Sequence, residues 1–198
     1  WPWHWHHGYE AVAVPPALGT RLRMELELLF NRAPWRAATT HLQAWQALPL
    51  LDQQLQNDDL LHRHLHRAER LGLPLLLVLV AASANPLGLA RRLQLPQQQQ
   101  GWLEQRIDFK AWLANEVQQK RWQEWDPAQW SKALEARPWS PEVVALTVAF
   151  AEPYWRPLLR WWGRWRHVSP AHSARTLMAQ GMQPGPQLGE ALRQSRFQ

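Results

Sequence analysis

Apolar residues recur at helical intervals, mostly three and four, along most of the chain, as at Leu18, Leu22, Leu26 and Leu29, or Val143, Leu146, Val148 and Phe150. That spacing lays one apolar stripe along a helix, whereas the period-two alternation of a half-buried strand is not sustained anywhere. Glycine-containing hairpin signals between alternating runs are absent as well. The pattern therefore predicts an all-α fold, an elongated array of many short helices.

Prolines punctuate the pattern. Pro34, Pro86 after Asn85, Pro127 after Asp126, Pro141 after Ser140, Pro170 after Ser169 and Pro186 after Gly185 all stand where helices should begin. A first-turn proline loses no hydrogen bond, and a preceding Asn, Asp or Ser can accept one from a first-turn N–H. Helices are expected from about Pro16 to Phe30 and from about Pro34 to Ala47. A long one should follow the Asn57-Asp58-Asp59 cap as far as Leu71. Leu73 to Ala84 is read as a buried helix and Pro86 to Leu95 as the next. Pro96 with Gln97 to Gln100 reads equally as a loop or a helix start. A helix through Trp102, Ile107, Phe109 and Trp112 is expected to reach about Gln123, and three more should cover Tyr154 to His167, Pro170 to Gly181 and Pro186 to Arg196. Residues 1–55, 56–150 and 151–198 form three successive groups of helices, or one continuous all-α unit.

The 198 residues suffice for a sizeable core without staples, and the absence of cysteine excludes thiol and zinc-ribbon chemistry and fits the cytoplasm. The longest apolar run, Leu73 to Ala84, falls far short of the roughly 20 residues of a membrane span, so no membrane partner is expected. A net charge of +6 points to polyanions, and its distribution is uneven. From Ala151 onward seven arginines face only Glu152 and Glu190, a local balance of +5. The chain opens on Trp1-Pro-Trp-His-Trp-His-His7, with neither an initiator methionine nor the layout of a signal peptide, and is expected to begin inside a longer protein.

The candidate chemistry lies in that basic quarter. Arg156, Arg160 and Arg164 are four apart and would share one helix face, with Trp161, Trp162 and Trp165 alongside. Guanidinium groups meet phosphate and indoles stack on bases, which suits RNA. Tryptophans at helical spacing also serve as core, in which case the arginines solvate the outer face. Arg63, Arg67 and Arg70 line a second stripe. His62 and His66 are four apart and could share a metal, but alternate histidines diverge on a helix and no carboxylate is spaced to complete a site, so His62, His64 and His66 read as a solvated face. No metal site or catalytic residue is expected. No carboxylate pair follows a glycine-rich strand, no histidine-aspartate dipeptide occurs, and no serine sits in a nucleophile elbow.

The chain ends in its most particular segment, Gly181-Met-Gln-Pro-Gly-Pro-Gln-Leu-Gly-Glu-Ala-Leu-Arg-Gln-Ser-Arg196. Gly181 is placed to close one helix in the left-handed region, and Pro186 after Gly185 to open the next. Leu188 and Leu192 form an i,i+4 apolar pair, Gly189 between them permits a neighbour's close approach, and Arg193 and Arg196 fall in the last turn, where positive charge suits the helix dipole.

Leu177, Gly181, Gly185-Pro186, Gly189 and Arg193 together resemble the C-terminal end of bacterial tRNA nucleotidyltransferases and poly(A) polymerases. Ala174 and Thr176 stand where that family usually has glycine and aspartate. Arg21 followed four residues on by Glu25-Leu26, ahead of a leucine pair, looks like the neck motif of the same family. By spacing alone it is a surface ion pair. The resemblance covers about Leu18 to Leu51 and Pro170 to Arg196. It implies the neck, body and tail of a class II tRNA nucleotidyltransferase, with Arg21 and Glu25 bracing a nucleotide-selecting helix. It also implies that CMP and AMP addition occurs at an N-terminal catalytic head upstream of this chain. That head would use Mg2+ with CTP and ATP, so no cofactor is expected here. The partner implied is tRNA, held by its backbone through Arg156, Arg160, Arg164, Arg193 and Arg196. A partial enzyme, a poly(A) polymerase, or a stand-alone helical module binding RNA or another partner are the alternatives.

Overall fold

The computed structural model describes residues 16–117 and 125–197. The Trp1 to His7 opening and the expected continuation of a helix to Gln123 lie outside the described residues. Those residues form twelve α-helices and no strand, so the chain is an all-α, multi-helix array. In chain order they are α1 (Pro16–Arg32), α2 (Trp35–Ala44), α3 (Gln53–Gln56), α4 (Leu61–Arg70), α5 (Leu75–Ala81) and α6 (Pro86–Arg92). Then come α7 (Gln97–Trp112), α8 (Pro127–Glu135), α9 (Pro141–Ala149), α10 (Trp155–Gly163), α11 (Ala174–Ala179) and α12 (Pro186–Gln194). Among the described residues there are also short 3-10 turns at Leu48–Leu50 and Trp165–His167 and a π-helical turn at Leu113–Val117.

Prolines and their caps set most of the starts. Asp126 accepts from the Gln129 N–H at 2.7 Å while Gln129 Oε1 accepts from the Asp126 N–H at 2.8 Å, a reciprocal capping box before Pro127. Asn85 Oδ1 accepts from the Gly88 N–H in front of α6. The glutamine-rich passage after Pro96 is the start of α7, where Gln100 reaches back to the Leu95 carbonyl. Pro170 opens no helix. The helix starts instead at Ala174, where Ser173 Oγ accepts from the Thr176 N–H at 3.1 Å.

The centre of the body is built on α5 and α9. Every residue from Leu76 to Ala81 and from Val143 to Ala149 is buried, and α9 packs on α4, α7 and α10. One apolar cluster runs from Leu26 on α1 to Trp161 on α10, with Leu65, Leu77, Phe109, Trp130 and Leu146 wholly inside it. Each fully buried side chain of this size contributes roughly 1.5–3 kcal/mol.

Gly19 lets α1 seat against the end of α6, since a Cβ there would overlap the Arg92 carbonyl. The same corner uses cations to satisfy helix-end carbonyls. Arg23 donates to the Gln94 carbonyl, and Arg92 Nη2 donates to Leu50 O at 3.0 Å and Leu51 O at 2.6 Å.

Candidate nucleic-acid interface

The link between α9 and α10 is a strained turn on a charged anchor. Ala151 (φ 50°) and Tyr154 (φ 69°) lie in the left-handed region that side chains disfavour, so surrounding contacts must hold them there. Glu152 supplies those contacts, accepting from Arg106 Nη2 at 2.6 Å and forming an ion pair with Lys110 Nζ at 3.0 Å, both on α7. The buried Arg106 guanidinium also covers the Phe150 ring at 4.3 Å. The His64 ring lies 4.4 Å from Phe150, measured between ring centres. Burial holds the His64 imidazole below its ordinary range, with Arg67 and Arg106 pushing the same way against Asp58 and Glu152.

His64 therefore departs from the expected solvated face. It turns into the core, while His62 and His66 lie beside Trp35 at 5.8 and 6.5 Å. Alternate positions do diverge on α4, and the side that takes His64 is the apolar one. Among the described residues no group of three or more His, Asp or Glu is placed to hold a metal ion. Of the second arginine stripe, Arg67 turns to the Ala149 carbonyl at 3.3 Å.

Along α10, Leu158 and Trp161 face inward and are buried, so Trp161 is core. Trp162 is half-buried against the same cluster, with the Arg166 guanidinium 5.1 Å from its ring centre. The opposite face presents Arg156 and Arg160, both exposed. Arg164 does not extend this helical stripe as expected. The helix ends at Gly163, a poor helix residue, and Arg164 (φ −134°, ψ −61°) leads into the 3-10 turn. Arg164 is nonetheless exposed, and none of the three arginines forms an ion pair among the described residues.

Arg156 and Arg160 border a cleft of about 410 Å³. Its other walls are mostly aromatic: Trp125 just before α8, Trp130 on it, and Tyr154, Trp155 and Trp165 from α10 and its ends, with Pro157 between. Trp155 is 36% exposed, and the Arg156 guanidinium lies 5.4 Å from its ring centre.

The tail corner is closed by a left-handed glycine. Gly181 (φ 97°) follows α11, its N–H donating to the Met178 carbonyl while the Met182 N–H donates to that of Leu177. That pair of bonds is a Schellman closure. Gly185 (φ 159°) is nearly extended and precedes Pro186 at the first position of α12. The neighbour expected against Gly189 is not there. A Cβ on it would meet only the Arg193 guanidinium, at 3.9 Å. The small residue is thus not required for close packing.

Arg193 and Arg196 are engaged within the protein. Arg196 Nη1 donates to both carboxylate oxygens of Glu135 on α8 at 2.7 and 2.9 Å, and Lys132 donates to Glu190 at 2.6 Å. Arg193 sits 4.0 Å from Glu190. The Lys132 hydrogen bond holds the Glu190 carboxyl below its usual range. These contacts dock α12 on α8, so in this arrangement the two arginines meet carboxylates of their own chain.

Arg21 and Glu25 are both exposed and do not pair with each other. The ion pair on α1 is Arg23–Glu27 at 3.8 Å. Arg23 is already fixed by the Gln94 carbonyl, whereas joining Arg21 to Glu25 would immobilise two free side chains for little gain. The Arg106–Glu152 anchor escaped the sequence because its members are 46 residues apart and neither carries a local signature. Compared with known proteins, the chain matches no family model, no curated protein and no solved structure.

Proposed function

We propose that this chain is the RNA-holding part of a cytoplasmic tRNA nucleotidyltransferase, gripping tRNA by its backbone while a head outside the chain adds CCA, or part of it. In this reading the chain is inactive alone, and Mg2+ with CTP and ATP belongs to the head. The observation that carries the RNA-binding step is the exposure of Arg156, Arg160 and Arg164 beside an aromatic cleft, with no ion pair to any of them among the described residues. Elsewhere in the tail Arg193 and Arg196 find carboxylates. Cations without internal partners are the ones available to phosphate. The choice of tRNA as target rests on the resemblance through Leu177, Gly181, Gly185-Pro186 and Gly189, and a poly(A) polymerase would share that segment.

A second reading, a stand-alone helical module that binds a protein partner, is favoured by the outer side of α1. There Leu18 and Met24 are 57% and 59% exposed, with Leu22 and Leu28 nearby. Such an apolar surface suits a protein neighbour, and the nucleotidyltransferase reading gives it to the head.

The test is the salt dependence of tRNA binding. Replacing Arg156, Arg160 and Arg164 together by alanine should flatten the log-log slope by about two to three units, one phosphate per arginine. An unchanged slope removes these residues from any RNA interface.

A further inference from the structure

We infer that the cleft between α8 and the start of α10 takes one unpaired base of a single-stranded RNA, with the flanking phosphates on Arg156 and Arg160. The inference rests on the RNA-binding reading above and specifies what that surface recognises. Three features carry it. The volume of about 410 Å³ lies within the roughly 300–1,000 Å³ of small-molecule sites. The wall is aromatic and the rim cationic, which is the division a nucleotide has between base and phosphate. Trp155 is still partly exposed at the rim while Trp130 is 2% exposed, so Trp155 offers a ring face and Trp130 closes the cleft as part of the core.

Backbone geometry fixes the rim. Tyr154 in the left-handed region turns the chain sharply into α10, so that Trp155 and Arg156 open the helix at the cleft and Arg160 follows one turn later. Arg160 is thereby on the same side as Arg156. Duplex RNA keeps its bases stacked and paired, so a site of this kind selects single strands, loops or ends.

The test compares two fluorescently labelled RNA strands of about eight nucleotides, within the site sizes of single-strand binders. One carries adenine throughout and the other has the same ribose-phosphate backbone without bases. The intact chain should bind the adenine strand about tenfold more tightly, as expected for losing one stacked base. Trp155→Ala should abolish that preference and leave binding of the abasic strand unchanged, and Trp155→Phe should restore it. Arg156→Ala with Arg160→Ala should weaken both strands alike. Equal binding of the two strands by the unaltered protein would overturn the base site while leaving backbone binding intact. Binding of neither strand would overturn both, and that comparison needs no variant to fold.

Discussion

The arginine inside the body and those exposed on α10 and just past its end are the same side chain in opposite circumstances. Arg106 is buried, donates to Glu152 at 2.6 Å and lies against Phe150. Arg156, Arg160 and Arg164 are exposed and form no ion pair among the described residues. Both sets adjoin the same short link, since Glu152 anchors the turn from which Trp155 and Arg156 emerge. A cation facing a buried carboxylate is structural, because separating the pair leaves a charge in a poorly solvated place. A cation facing water contributes little to the fold and remains available to an external anion.

The sharpest way to break this comparison is to remove the carboxylate. Glu152→Gln leaves Arg106 buried without its counter-charge and should cost about 3 kcal/mol in denaturant unfolding. Adding Arg106→Met should recover much of that loss, because the uncompensated charge goes with it. If Glu152→Gln left stability unchanged, the left-handed turn would be held by something other than this pair.

A smaller effect at the same place depends on pH. His64 is depressed by burial from a reference value of 6.5, so the unfolded chain binds its proton more readily than the folded chain does. Its contribution is therefore complete above the unfolded value. It declines as pH falls from about 6.5 toward the folded value, by at most about 1.4 kcal/mol per pH unit, and levels off below. Unfolding midpoints measured from neutral to mildly acid pH should show the decline, and His64→Gln should flatten it. A curve unaltered by that substitution would place the titrating group elsewhere.

What the sequence revealed and what it concealed divide along the same line. Pro86, Pro127, Pro141 and Pro186 are the first residues of α6, α8, α9 and α12, and Gly181 closes α11, because caps and turns depend on neighbours a few residues away. The buried run at α5 was equally plain from its composition. Contacts across the fold were not. Gly19 meets Arg92, Arg106 meets Glu152, and Arg196 meets Glu135 only after distant helices pack. Spacing on a helix identified which arginines share a face with Arg156, but it could not foresee that Gly163 would end the helix before Arg164. Nor could it separate Arg196, which has a carboxylate, from Arg160, which has none among the described residues.

That separation yields the smallest prediction and the one that most refines the comparison. Arg196→Ala removes a partly exposed, two-pronged pair between α12 and α8 and should lower stability by about 0.5–1 kcal/mol. It should leave the salt dependence of RNA binding unaltered. Arg160→Ala should do the reverse, holding stability within about 0.5 kcal/mol while flattening the slope by about 0.7–0.9 units. Unfolding curves and salt titrations on the same two proteins decide the matter. If Arg196→Ala flattened the slope as much as Arg160→Ala, the Glu135 contact would have to open when RNA binds. Internal pairing would then fail as a guide to which cations are available.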